Sequence, residues 1–252
     1  MSSDRAWREY DIHTNDKVSD DSGESPNRDD PEQHAFDLFT QAQEPDEITY
    51  DLLDAESGKD ISIRLRYFED YTQSTGVSIW QASETLLPYL RQIKDMVKGR
   101  QVLELGAGVG LCSLAAHYLG ASCVIATDGD MKVLEFLRQN LDQNRKQAGI
   151  IKCPQLIWGY DLQSFLDTHG PSDIVLAADV CYMSKSIPPL FQTAHHLLAD
   201  DGLMILIHQA FTQEEDFHST MLAVSEREHF SLSQRAEMPD VYFFRKQSSV
   251  VG

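Results

Sequence analysis

The chain has 252 residues, 42% of them hydrophobic, and its 40 acidic against 21 basic residues give a formal net charge of −19. A chain of this length predicts one main domain. The negative charge repels phosphate backbones and anionic lipid surfaces, which argues against nucleic acid and membranes as partners.

The first part of the chain differs in composition from the rest. The first 47 residues contain 14 acidic and four basic residues, and very few aliphatic ones. Such a segment buries too little apolar surface to offset the entropy of ordering, which predicts a disordered acidic tail over residues 1–44 and a folded domain over residues 45–252. The absence of an apolar signal segment and of roughly 18 consecutive apolar residues predicts a soluble protein of the cytoplasm, with the nucleus as a second compartment.

Two β-favouring runs open the domain. EITYDLL (residues 47–53) and ISIRLRYF (61–68) are separated by the turn-like segment DAESGKD, which predicts a β-hairpin. Apolar residues then recur near helical spacing over residues 78–90. This spacing predicts a helix that packs on a sheet, with Trp80 at its start.

From residue 100 onward, short apolar runs alternate with amphipathic stretches, which predicts β-α-β units and a parallel sheet. The runs are QVLEL, SCVIAT, QLIW, DIVLAA and LMILIH. Two final runs, FSLSQRA and VYFFR, are joined only by EMPD, which is too short for a crossover helix, so they should pair antiparallel at one edge. The predicted fold is α/β and Rossmann-like, with a seven-stranded, mostly parallel sheet, an antiparallel C-terminal hairpin and an N-terminal β-hairpin extension.

The segment ELGAGVG (104–110) follows the first of these strands and opens a helix. Its glycines permit a tight turn and close approach of the backbone to a ligand. A dinucleotide fingerprint requires G-x-G-x-x-G, whereas Leu111 stands at the position of the third glycine. The E-x-G-x-G-x-G spacing instead resembles motif I of class I methyltransferases, which bind S-adenosylmethionine. Glu104 would then meet the ammonium group of the cofactor's amino-acid moiety.

Polar and aromatic residues follow the next strands, at the edge where open α/β sheets bind ligands. Asp128 comes after SCVIAT and can accept hydrogen bonds from both ribose hydroxyls, which leaves Asp130 to cap the next helix. Trp158 ends the third predicted strand, where it either flanks the adenine or packs in the core. Asp179 and Tyr182 follow the fourth strand, at the face where the methyl group would be transferred.

These motifs together identify a family. GVSIW, ELGAGVG, TDGD, WG and DVCY occur in this order, and the chain from about residue 47 to residue 245 resembles the seven-β-strand protein-lysine methyltransferases. That family includes the enzymes that modify calmodulin, chaperones, a AAA ATPase and elongation factors, and D-x-x-Y after the fourth strand is its most specific motif. The resemblance implies a class I methyltransferase that uses S-adenosylmethionine to methylate a lysine of a protein substrate.

The resemblance also assigns roles to individual residues. Asp179 would orient the substrate amine and Tyr182 would supply an aromatic wall, and both are therefore the predicted catalytic residues. The implied cofactor contacts are Trp80, Glu104, Gly106, Ala107, Gly108, Asp128, Trp158 and Ala178. We expect the protein to be a monomer.

One segment departs from the family pattern. Many relatives place an arginine shortly after the fifth strand, whereas HQAF (208–211) stands here, so the resemblance does not carry the identity of the substrate. His208 either lines the substrate pocket or is a partly exposed structural residue. The four cysteines lack the spacing of a zinc site, which predicts reduced, mostly buried thiols and no metal.

Two other hypotheses are compatible with the same motifs. Methyltransferases that modify histidine, arginine or small molecules share much of this scaffold, and a non-catalytic binding module would keep the fold for a partner, with the acidic tail as its docking segment. Intact Glu104, Asp128 and Asp179 argue against the binding module. Nucleic-acid methylation is disfavoured because the chain has neither an N/D-P-P-Y motif nor a basic stripe.

Overall fold

A computed structural model of the chain describes residues 44–53, 60–69, 74–144, 151–181, 183–208, 217–234 and 241–247. The tail predicted over residues 1–44 lies outside these ranges except for its last residue, so its disorder stays a prediction. Tyr182 also lies outside the described residues. The described part of the chain begins at residue 44, where the composition becomes richer in apolar residues that can be buried in a core.

Apart from the run QLIW and the helix after it, the strands and helices follow the predicted order. The strands are β1 (Asp46–Leu53), β2 (Asp60–Tyr67), β3 (Gln101–Leu105), β4 (Cys123–Thr127), β5 (Ile151–Lys152), β6 (Ser172–Ala178), β7 (Leu198–Ile207), β8 (Phe230–Gln234) and β9 (Val241–Lys246). The helices are α1 (Gln81–Gln92), α2 (Lys94–Val97), α3 (Leu111–Tyr118), α4 (Met131–Gln143), α5 (Leu162–His169), α6 (Ile187–Leu197) and α7 (Phe217–Arg227). Two short 3-10 turns are formed by Thr75–Val77 and Ser184–Ser186.

Seven strands form the main sheet in the order β5-β4-β3-β6-β7-β9-β8, and β1 and β2 form a separate antiparallel hairpin. Each neighbouring pair from β5 to β7 is parallel, whereas β9 is antiparallel to both β7 and β8. Only β9 therefore runs against the other six strands. The predicted mostly parallel sheet, its C-terminal hairpin and the N-terminal hairpin are all confirmed.

One predicted strand is wrong. QLIW is not a strand, because β5 is confined to Ile151–Lys152, where it pairs with β4. Pro154 has no N–H to donate to a sheet ladder, so regular pairing ends before it. Gln155 makes only an isolated bridge to Asp128, and Trp158 lies in the turn that follows. The eight-residue helix α5, which comes next, was not predicted.

Successive residues of the central strands alternate between two cores, one on each face of the sheet. Leu203 and Ile205 of β7 pack with α1, α3 and the hairpin, whereas Met204 and Leu206 pack with α6 and α7. This alternation follows from the two-residue period of a strand. Because helices cover both faces, the carboxyl ends of the parallel strands provide the edge at which a ligand can bind.

Two buried asparagines attach the hairpin to the main domain. Asn140 Oδ1 accepts a hydrogen bond from Arg66 N at 2.9 Å, and its Nδ2 donates to Arg66 O at 3.0 Å. One turn later, at the C-cap of α4, Asn144 makes the same pair of bonds with Arg64, at 3.0 and 2.7 Å. Asn140 Nδ2 also donates to Val109 O at 3.0 Å, so the same side chain joins β2 to the glycine turn.

The substitution Asn140→Leu is expected to lower the free energy of unfolding by about 2–4 kcal/mol. Leucine is similar in volume, but it leaves the backbone groups of Arg66 and Val109 buried without these partners. Urea denaturation measures the change. The matched control is Gln139→Leu, which alters the exposed neighbour and should change stability by at most about 0.5 kcal/mol. Equal losses in the two variants would show that the buried bonds do not hold the hairpin.

The sequence predicts that the four cysteines are reduced, mostly buried thiols. Cys112 and Cys181 are buried, Cys123 and Cys153 are half-buried, and all four are free, as their spacing predicts. Among the helices that the structure describes, none is both long enough and apolar enough to cross a membrane.

Candidate active site

A cavity of about 680 Å³ opens at the carboxyl ends of the parallel strands. This volume lies within the range of roughly 300–1,000 Å³ that is typical of small-molecule sites. Segments from the turn before α1 and from the loops after β3, β4, β5, β6 and β7 contribute to its walls. The predicted site residues that line it are Trp80, Gly106, Gly108, Asp128, Trp158, Ala178 and Asp179.

The glycine turn after β3 brings bare backbone to the cavity. Gly106 and Gly108 have positive φ angles of 73° and 52°, which side chains other than glycine rarely adopt. A Cβ on Gly106 would lie 2.7 Å from Val180 Cγ1, and one on Gly108 would lie 3.1 Å from Gly76 O. Glycine is therefore required both by conformation and by space, as the spacing of the motif predicts.

Asp128 lies at the tip of β4 and is oriented by backbone groups. Its Oδ1 accepts a hydrogen bond from Asp130 N at 3.0 Å, and its Oδ2 accepts one from Gly108 N at 3.3 Å. Asp130 caps α4 by accepting from Lys132 N at 2.8 Å, as the sequence predicts for this residue, whereas the ribose contact of Asp128 stays a prediction. Burial raises the pKa of Asp128 above its ordinary value, although the backbone hydrogen bonds oppose this rise.

Two tryptophans contribute to the cavity from different segments. Trp80 is the N-cap residue of α1, and its indole Nε1 donates to Thr75 O at 2.8 Å, which closes the turn before the helix. That turn is tied to the hairpin by Ser78 Oγ, which donates to Phe68 O at 2.7 Å. Trp158 lines the cavity from the turn after β5. Trp158 thus lies at the cavity although the strand predicted to carry it is absent, and its contact with the adenine stays a prediction.

Glu104 and Ala107 do not line the cavity. Glu104 is only 2% exposed and lies on the face of β3 that α3 covers, where its carboxyl group accepts a hydrogen bond from the hydroxyl of Ser113. Burial raises the pKa of Glu104 to about 7, although hydrogen bonds from Ser113 and Cys112 offset part of the rise. The cofactor contacts of Glu104 and Ala107 therefore stay predictions.

The raised pKa of Glu104 predicts a pH dependence of stability. The folded state keeps the proton up to about pH 7, whereas the unfolded state loses it near the ordinary glutamate pKa of 4.5. The stabilisation is complete below the unfolded pKa and is lost as the pH rises through the folded pKa. Between pH ~5.5 and ~8, the free energy of unfolding should fall by on the order of 2 kcal/mol relative to Glu104→Gln, which has no such proton. Urea unfolding of both cofactor-free proteins tests this, and parallel pH profiles would contradict it.

Asp179 and His208 lie next to each other at the ends of β6 and β7. Ala178 and Ile207 are partners in the sheet register, and Asp179 N donates to Ile207 O at 2.9 Å. His208 Nδ1 lies 3.4 Å from Asp179 Oδ1, and the two side chains are 8% and 10% exposed. Both residues line the cavity. His208 is thus a buried residue of the site, and its position at a strand end was the sequence signal for it.

Some other lining residues were not in the predicted set. Gly76, Val180, Met183 and Pro189 line the cavity but carry no polar side chain, so their sequence pattern does not distinguish them from core residues. Groups of three or more His, Cys, Asp or Glu that could hold a metal ion are absent from the part of the chain that the structure describes.

The sheet and the position of the cavity define a class I methyltransferase fold, and solved structures agree. The chain is similar to the T. thermophilus 16S rRNA N2 G1207 methyltransferase in complex with AdoMet and guanosine, with a TM-score of 0.50 and 21% identity over 80% of this chain and 51% of the other. It is also similar to the ribosomal protein L11 methylase of Lactobacillus delbrueckii, with a TM-score of 0.50 and 20% identity over 66% and 80% of the two chains. At these identities the likeness concerns the fold alone.

A profile of the lysine methyltransferase family matches residues 59–224. The chain is 32% identical to the protein N-lysine methyltransferase METTL21A of Danio rerio, over 68% of this chain and 76% of the relative. It is 36% identical to the protein-lysine N-methyltransferase EFM3 of Chaetomium thermophilum, over 64% and 49%, and 30% identical to the EEF1A lysine methyltransferase 3 of Mus musculus, over 66% and 70%. The chain belongs to the lysine methyltransferase family, an assignment that confirms the predicted family and its methyl donor, S-adenosylmethionine.

Proposed function

We propose that the chain transfers a methyl group from S-adenosylmethionine to the side-chain amine of a lysine in a protein substrate. The observation that carries this proposal is the cavity itself, in which Asp179 lies together with the glycine turn and Asp128. When bound, S-adenosylmethionine supplies an electrophilic methyl group on a sulfonium. A carboxylate at the same cavity is suited to receive the cationic or amine form of a lysine.

The residues that would hold the cofactor fit its chemistry. Gly106 and Gly108 expose backbone that an added Cβ would obstruct, so a ligand can approach closely. Asp128 is an acceptor already oriented by two backbone N–H groups, which suits a pair of ribose hydroxyls. Trp158 and Ile157 provide apolar surface for a purine ring.

Asp179 is proposed to orient the substrate amine. A lysine has a reference pKa of ~10.4, so it must lose a proton before its lone pair can attack a methyl group. Desolvation in the cavity and the positive charge of the sulfonium, when the cofactor is bound, would both favour the neutral amine of the lysine. A strong general base is therefore not required. Positioning of the amine would then contribute most of the rate enhancement. Tyr182 is proposed to supply an aromatic wall for the substrate lysine, as the family resemblance implies.

The decisive experiment incubates the full-length protein with isotopically labelled S-adenosylmethionine and a cell extract. Label on one protein band, mapped by mass spectrometry to a lysine, is the expected result. Label on a histidine or arginine would replace the lysine proposal with another protein modification, and label only in the small-molecule fraction would replace it with a small-molecule acceptor. Failure of the protein to bind the cofactor in calorimetry would favour a non-catalytic binding module.

The oligomeric state, the cellular location and the partners of the protein are also proposals. We propose a monomer located in the cytoplasm, with the nucleus as a second compartment, which acts on neither nucleic acid nor membranes. The net charge of −19 supports the last point, because it disfavours polyanionic surfaces. Size-exclusion chromatography with light scattering tests the monomer, and fractionation of cells that express the tagged protein tests the location.

A further inference from the structure

The carboxylate of Asp179 needs a fixed orientation to position an amine. The terminal torsion of an aspartate side chain is broad, so its two oxygens are not held by rotamer preference alone. The backbone of Asp179 is fixed, because its φ angle is 53° and its N–H is bonded to Ile207 O. The side chain therefore requires a partner of its own.

His208 is placed to be that partner. The parallel register of β6 and β7 sets the two residues side by side, and the contact joins His208 Nδ1 to Asp179 Oδ1 at 3.4 Å. Both side chains are about nine-tenths buried, so water competes little with the contact. An imidazole with its proton on Nδ1 would donate a hydrogen bond to Oδ1.

We propose that His208 is a positioning residue, whose Nδ1–H holds Oδ1 of Asp179 so that Oδ2 is presented to the substrate amine. The inference rests on the proposed function, since it assigns a second residue to the same amine site. His208 transfers no proton in this role and need not touch the substrate. It acts through the orientation of Asp179.

Three variants separate this role from others. His208→Leu removes the donor, His208→Asn places an amide N–H near the position of Nδ1, and His208→Gln places one near Nε2. His208→Leu and His208→Gln are expected to lower kcat about tenfold. The KM for the substrate protein that takes up label in the cell extract, and the Kd of S-adenosylmethionine, should both stay within about threefold of the wild type. His208→Asn should keep kcat within about threefold of the wild type.

Several results would overturn the proposal. A kcat of His208→Leu equal to that of the wild type would show that the histidine is dispensable. Equal loss in His208→Asn and His208→Leu would indicate a proton-transfer role, because the amide cannot accept the proton that imidazole can. A parallel loss of cofactor affinity in all three variants would indicate a structural role in the cavity.

A measurement on the full chain without substrate tests the contact itself. In nitrogen-15 NMR of the histidine-labelled protein, the ring signals missing from His208→Asn identify His208. They are expected to report the Nδ1–H tautomer, and Asp179→Gly, which keeps the positive φ angle but removes the carboxylate, should abolish that preference. An unchanged tautomer in Asp179→Gly would overturn the contact. If the wild type labels no lysine while this NMR result holds, the proposed function fails and the contact between the two residues stands.

Discussion

Replacing Asp179 with asparagine is expected to lower kcat for methyl transfer by about 100- to 1,000-fold, since it removes the charge that would orient the substrate amine. Asparagine tolerates a positive φ angle, so the backbone conformation of Asp179, with φ at 53°, should be retained. The Kd of S-adenosylmethionine should change by less than about threefold, because Asp128 and the glycine turn are proposed to hold the cofactor. Single-turnover transfer of label measures the first quantity and calorimetry the second.

A matched control exists for this substitution within the same chain. Asp201 is also an aspartate with a positive φ angle, of 62°, but it is exposed and does not line the cavity. Asp201→Asn should therefore leave both kcat and the Kd unchanged. Retention of full turnover in Asp179→Asn would reject the role of Asp179, and a parallel fall in cofactor affinity would place this carboxylate in the cofactor site instead.

Replacing Asp128 with asparagine is expected to weaken the binding of S-adenosylmethionine about 100-fold. A carboxylate can accept from both ribose hydroxyls, whereas asparagine keeps one accepting oxygen and its NH₂ group accepts from neither hydroxyl. Each hydrogen bond to a charged group contributes about 1.5–3 kcal/mol. An amide nitrogen at the position of Oδ2 would also face the N–H of Gly108, so two donors would oppose each other. In the wild type, Oδ2 accepts a hydrogen bond from Gly108 N at 3.3 Å. Isothermal titration calorimetry of the purified protein measures the affinity directly.

Asp130→Asn is the control for this second substitution. It removes one negative charge two residues away, but the side-chain oxygen can still cap α4 by accepting from Lys132 N. Its Kd should stay within about threefold of the wild-type value. If both variants lost affinity equally, the effect would come from net charge in the loop and not from hydrogen bonds to the ribose.

The glycine turn and Asp128 illustrate what could be predicted from sequence. Gly106 and Gly108 occupy backbone conformations and gaps that other residues cannot, so their spacing carries the geometry within a few consecutive residues. Asp128 follows a strand and Asp130 precedes a helix, and each position has one local role. Local chemistry of this kind is readable before any tertiary contact is known.

The third strand shows where such reading fails. An apolar run such as QLIW fits a strand by composition, yet the paired residues of β5 are only Ile151 and Lys152, before Pro154, which has no N–H for a sheet ladder. Trp158 nevertheless lines the cavity from a turn. The strand assignment is therefore wrong, although the loop returns to the same edge of the sheet and brings Trp158 to the cavity, where its adenine contact stays a prediction.

Apart from the QLIW strand and helix α5, the sequence by itself determined the order of strands and helices, the hairpin at each end and the glycine turn that led to the methyl donor, since each of these depends on residues close together in the chain. Only the tertiary structure decided which side chains face the cavity. In the folded chain, Glu104 accepts a hydrogen bond from Ser113 of α3. The parallel register of β6 and β7 places His208 beside Asp179. Residues 104 and 113 meet because α3 packs on β3, and residues 179 and 208 meet because β6 and β7 are neighbours in the sheet, and no local pattern records such contacts.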